Sequence, residues 1–158
     1  MNRKLLSSIG EFVCDTVIYS LLSLCWHELL HLWVLRMLGG DGYIIQVPYG
    51  IPFGLICVMT KLPEHGLLLV YLSGGFGCGL TWLVLAWWSW VDRDWEDYTA
   101  LLVNAFPQFA YGILETLCGS WMAPSLYVKL GLTVQVAARV LALALTLPKL
   151  VKHWATLS

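Results

Sequence analysis

From 12 to 38 the chain runs almost without charge for longer than the ~20 residues that cross a bilayer, and inside that run stands His27-Glu28-Leu29-Leu30-His31. Residues four apart share a helix face, so both imidazoles reach one ion. Glu28 sits beside them, where a carboxylate activates a metal-bound water. Soluble helices match this five-residue pattern by chance. Inside an apolar segment of membrane length, two histidines and a glutamate are costly, and such groups mark function. The bland alternative is a polar contact between helices, with no metal.

Composition supports the membrane reading. The 158 residues are 59% hydrophobic and 12% charged, about half the charged fraction of an ordinary soluble domain, so apolar surface has to face lipid. A formal net charge of -1 and the lack of a basic block give no footprint for nucleic acid. Cys14, Cys25, Cys57, Cys78 and Cys118 are scattered, without a C-x-x-C pair, and read as small apolar fillers. Met1-Asn2-Arg3-Lys4 ahead of an apolar run looks like a signal peptide. Cleavage there would discard the histidines, so the run is expected to be a retained helix.

Along the first helix, Thr16, Ser20, Ser23, His27 and His31 recur at steps of four, three, four and four. They form a polar stripe that has to face protein or water. Glu11 and Asp15 fall toward the opposite end and read as interfacial. Gly39-Gly40-Asp41-Gly42 ends the helix. The 43–60 stretch, β-rich but punctuated by Pro48, Gly50, Pro52 and Gly54, predicts short strands. As a functional element it would offer an exposed strand edge to an unwound peptide.

A second helix is expected at 66–90. Gly75 and Gly79 lie four apart near its start, at the spacing of close helix approach, and Trp82, Trp87, Trp88, Trp90 and Trp95 crowd its end like an interfacial belt. The acidic 92–97 loop reads as a solvated connector. A third helix at 98–118 carries Asn104, Pro107, Gln108, Tyr111, Gly112 and Glu115. Two spans separate it from the first, so the two run parallel. Counted at 1.5 Å per residue, Glu115 lies roughly 25 Å from 98, and His27 roughly 22 Å from 12. That matching depth nominates Glu115 as a third ligand. A last segment at 126–147 contains Lys129, Gln135 and Arg139 and is expected to end at Pro148, leaving Lys149, Lys152, His153 and Trp154 as an interfacial tail. Arg139 would cost about 2.5–3.5 kcal/mol facing lipid at mid-membrane, so it is expected to face the bundle or a wet cavity.

Two histidines, one carboxylate and an open position make a catalytic zinc set, in which the metal generates a nucleophile and Glu28 takes its proton. The expected reaction is amide hydrolysis. A di-iron membrane site needs more histidines than the four present, and one helix cannot place His27 and His31 on opposite sides of a haem. A Gly-x-Ser-x-Gly nucleophile motif is lacking.

This order of features resembles the intramembrane site-2 protease family over roughly 20–116. His27, Glu28 and His31 stand in its His-Glu-x-x-His, followed by Gly39-Gly40 with the 43–60 strands, then Ser73-Gly74-Gly75, then Asn104-Ala105-Phe106-Pro107. The resemblance implies zinc-dependent cleavage of a peptide bond in or near a substrate's transmembrane helix, with Asn104 helping to hold the unwound substrate. Two positions depart from the pattern. Leu30 replaces a small residue, and the family's acidic ligand falls on Gly112, three residues short of Glu115.

The expected fold is an all-α membrane protein forming one domain over 1–158, with its core at 12–118. It is a bundle of about four transmembrane helices (about 12–38, 66–90, 98–118 and 126–147) with a short β-hairpin-like insertion at 43–60 between the first and second. The expected activity is that of a zinc metalloendopeptidase holding one Zn2+ per chain through His27, His31 and Glu115, with Glu28 catalytic and Asn104 binding substrate. The partners expected are the lipid bilayer and a membrane protein with a transmembrane helix, with any regulatory membrane partner undefined. The alternative is an inactive protease-like protein that binds transmembrane helices. Arg3, Lys4, Lys149 and Lys152 favour cytosolic termini. The resemblance instead implies a site opening to the cytosol, with the 37–65 loop inside, and that orientation is adopted.

Overall fold

The computed structural model describes residues 3–46, 54–118 and 124–157. Four helices carry the architecture: α1 (Arg3–Met37), α2 (Glu64–Asp92), α3 (Trp95–Cys118) and α4 (Pro124–Leu157). Strands β1 (Gly42–Gln46) and β2 (Gly54–Val58) lie between α1 and α2. α1, α2 and the Lys129–Leu157 part of α4 are long and apolar enough to cross a membrane. Their outward faces carry exposed Val17, Leu21, Leu69, Leu80, Val84, Val140 and Leu145, the surface that a bilayer covers.

α3 is the exception to the expected set of four apolar spans. Its 24 residues suffice in length, but it does not reach the apolarity of the other three. The reason is its place: among the described residues α2 and α4 both pack on α3 and not on each other, and α1 packs across α2 and α3. A helix enclosed by protein can carry Thr99, Asn104, Gln108 and Glu115, all of which are buried. α3 runs unbroken through Pro107, which is itself fully buried.

The expected polar stripe of α1 faces this interior. Asn104 donates from Nδ2 to the Thr16 carbonyl at 3.2 Å, and Ser20 donates to Asn104 Oδ1 at 2.8 Å. Trp82 Nε1 donates to Ser23 Oγ at 2.8 Å. Trp82 is therefore a core residue and no part of the interfacial belt, unlike exposed Trp87, Trp88 and Trp90. α1 stops at the glycines: Gly39 adopts φ 75°, a left-handed value that glycine takes without strain, and Gly40 N–H closes onto the Leu35 carbonyl at 2.9 Å.

β1 and β2 pair antiparallel, with Gly42 opposite Val58 and Gln46 opposite Gly54. Both pack against α1. The 47–53 connection, with Pro48, Gly50 and Pro52, lies outside the described residues.

Three expected boundaries move. α1 begins at Arg3, nine residues ahead of the expected start at 12. Pro148 does not end α4, which continues to Leu157. Beyond the proline, Leu150 is fully buried and Trp154 Nε1 lies 2.9 Å from Ser8 Oγ and 3.0 Å from Glu96 Oε1, so packing on α1 and α3 holds the last turns. The 92–97 stretch is a solvated connector only through Asp94. Glu96 is buried and pairs with His153 Nε2 at 3.5 Å, while Asp97 accepts from Tyr19 at 2.5 Å and from Ser89, tying α1, α2 and α3 together. Cys14, Cys25, Cys78 and Cys118 are free thiols; of these Cys78 alone is buried, and Cys14 and Cys25 are exposed.

Candidate metal centre

Helical spacing places His27 and His31 one turn apart on the buried face of α1, and their rings meet edge to face with centroids 4.6 Å apart. Across the interface, α3 presents Glu115 at the same level. All three residues are buried, with 4%, 1% and 8% of their surfaces exposed. His27 Nε2 lies 3.0 Å from Glu115 Oε2, His31 Nε2 lies 3.3 Å from the same oxygen, and the two Nε2 atoms are 3.0 Å apart.

The outer nitrogens determine what these three atoms are. His31 Nδ1 lies 2.5 Å from the Val70 carbonyl oxygen of α2. A carbonyl only accepts, so Nδ1 carries the hydrogen and a neutral ring leaves Nε2 bare. His27 Nδ1 is 2.9 Å from Gln108 Oε1 on α3 and is oriented in the same way. In their neutral forms the two imidazoles thus turn lone pairs, and Glu115 a carboxylate oxygen, toward one point. Such a cluster is held together by a cation within it, either a metal ion or a proton on a ring nitrogen.

A tetrahedral ion with bonds of 2.0–2.1 Å holds its ligand atoms about 3.3 Å apart, close to the observed triangle. Among the described residues this is the group of three or more potential ligands within metal-binding reach of one another. The donor set of two nitrogens and one oxygen suits zinc and leaves a fourth position for water.

Three glycines bring the helices together around the cluster. A Cβ at Gly74 would land on the His31 imidazole, so bare backbone of α2 is what lets that ring lie flat beside it. A Cβ at Gly75 would strike the Gly112 backbone, and one at Gly112 would come 2.9 Å from Gly75 Cα. Position 112, where the resembled pattern has its acid, is therefore the crossing point of α2 and α3 and has no space for a side chain. The carboxylate comes from one turn further on.

Glu28 is half-buried on α1 beside this cluster and interacts electrostatically with His27, His31 and Glu115. It is not one of the converging atoms. Asn104, about three helical turns from Glu115 along α3 toward the acidic end, is engaged with Thr16, Ser20 and the Ala100 carbonyl, so its present bonds join α3 to α1. Gln108 and Val70 were not legible as site residues. Gln108 shares a face with Asn104 and Glu115, a signal that marks a buried polar face but gives no role. Val70 contributes only a main-chain atom. Tyr111 packs its ring on His27, with centroids 5.4 Å apart. No family model, curated protein or solved structure matches the chain.

Proposed function

We propose that the chain is an intramembrane zinc metalloprotease of the site-2 protease type. His27, His31 and Glu115 hold one zinc ion, and Glu28 is the general base. The observation that carries this reading is the convergence of three buried, metal-capable atoms, two of them on rings whose outer nitrogens are already committed to Gln108 and Val70. With both rings neutral the cluster sets acceptors against each other, an arrangement that a metal ion satisfies and a contact serving only to join helices does not.

When bound, zinc polarises a carbonyl and lowers the pKa of its water toward neutrality. The protein's share follows from position. Gln108 and Val70 fix the ring orientations. Glu28, kept off the metal, takes the proton from the attacking water and delivers it to the leaving amine. Gly74 and Gly75 keep α2 close, and the lipid-facing shell limits bulk water. The substrate is a membrane protein whose transmembrane helix is locally unwound, with β1 and β2 beside α1 offering an edge for it to extend. Asn104 holds the unwound segment by exchanging the Ser20 hydroxyl at its Oδ1 for a substrate backbone N–H, and the site opens to the cytosolic side.

The test is metal analysis of the purified protein together with cleavage of a model transmembrane substrate. Wild type carries one zinc per chain and cleaves. His31→Ala and Glu115→Ala lose the metal and the activity. Glu28→Gln keeps zinc and loses activity by on the order of 10²–10⁴-fold. Zinc-free wild type after growth in replete medium would overturn the enzyme reading and favour a helix-binding membrane protein.

A further inference from the structure

α1 and α4 both pack on α3 and approach each other at few places. Arg139 projects from α4 toward α1 at one of them. Its Nη2 donates to Ser20 Oγ at 3.5 Å, a long contact to a hydroxyl whose one hydrogen is shared between the Thr16 carbonyl and Asn104 Oδ1. Its Nε is buried and has no hydrogen-bond partner, the single such side-chain atom among the described residues. None of the ion pairs formed by the described residues includes it.

Depth excludes the usual escape for such a cation. Arg139 lies ten residues from Lys129, where the apolar part of α4 begins, roughly 15 Å along the helix, and nearer the middle than either end. Its arm falls short of the interface from there. The same distance puts lipid phosphates out of reach, since they lie outside the hydrocarbon core. An anion at this depth has to arrive on a membrane-spanning segment. Val136 and Val140, one turn before Arg139 and next to it on α4, and Val17 on α1 are exposed, so apolar surface suited to a docked helix lies near Arg139.

We infer that Arg139 is a recognition site for a transmembrane helix carrying a carboxylate side chain near the middle of the bilayer, docked between α1 and α4. On giving up the long Ser20 contact, the guanidinium turns its unpaired Nε–H and an Nη–H outward as a fork that matches a carboxylate, and charge complementarity in hydrocarbon gives the pair its selectivity. This inference does not rest on zinc or on hydrolysis, so it is tested in the Glu28→Gln background.

The experiment measures energy transfer between labelled protein and a labelled leucine-alanine transmembrane peptide in phosphatidylcholine vesicles. The peptide carries a single central Asp or, as its isostere, Asn. The Asp peptide is expected to bind about tenfold or more tightly than the Asn peptide. The difference disappears with Arg139→Gln and when the Asp is moved seven residues, roughly 10 Å, toward either end. Arg139→Glu transfers the preference to a Lys peptide. Equal binding of Asp and Asn peptides to the Arg139-bearing protein overturns the proposal without needing any variant to fold. So does a preference that survives Arg139→Gln in protein whose zinc content and melting temperature match the parent, which would leave Arg139 as a strut to Ser20.

Discussion

A histidine inside a membrane helix is a poor choice for a mere spacer, and the surroundings of His27 and His31 show what such a residue needs. Each has one nitrogen satisfied by a neighbouring helix and one turned inward. Replacing the outer partner leaves the ring in place but loosens its aim. Gln108→Leu is therefore expected to weaken zinc binding by about 10–100-fold while retaining the folded bundle, as measured by competition with a chromogenic chelator. A change below threefold would make Gln108 an ordinary packing residue. His27, Glu28 and His31 were visible in sequence because their spacing and their apolar setting act together. Gln108 was not, because its contribution depends on which face of α3 meets α1.

Helices α2 and α3 cross where two glycines meet, and this crossing explains an apparent defect in the motif. Gly112 occupies the place where the resembled pattern carries an acidic ligand, and Gly75 packs on its backbone. Moving the carboxylate back to 112 should fail. Gly112→Asp combined with Glu115→Ala is expected to lose zinc and to destabilise the bundle by about 2 kcal/mol or more, since overpacking a backbone crossing forces the helices apart. The readouts are metal content and melting temperature. Recovery of zinc with an unchanged melting temperature would show that the crossing has room after all. The small-residue spacing of α2 was readable as a close approach, and the equal depth of His27 and Glu115 was readable from helix rise alone. The partner glycine was not, because nothing in the local sequence says which helix fills a small-residue groove.

At the scale of the whole molecule, the metal-ligand cluster joins α1 to α3, and its outer bonds reach α2 through Val70. A cation at that junction ties three of the four helices, so its removal should be felt globally. Chelation of the wild type is expected to lower its melting temperature, by the equivalent of about 4 kcal/mol if zinc had been present at a thousand times its dissociation constant. His31→Ala, already without metal, should show no such shift. An equal shift in both would assign the effect to the chelator. At the opposite end, Glu96, His153 and Trp154 fasten α4 to α3 and α1, a latch assembled from residues that the chain keeps more than fifty positions apart.

By itself the sequence determined that the chain has helices for a membrane, where the first glycine break falls, and which residues on α1 could hold a metal. Those are consequences of hydropathy, periodicity and short-range spacing, all of which act within a few turns of one helix. Tertiary structure alone decided that α3 is enclosed and so may be polar. It also decided that Pro148 lies inside a helix, that Trp82 and Glu96 are buried, and that Glu115 meets the two histidines. Each of these depends on what a neighbouring helix supplies: a partner for a polar group, or surface against which a helix continues past a residue that would end it in isolation. In a bundle where lipid satisfies no hydrogen bond, those partners exist only between helices.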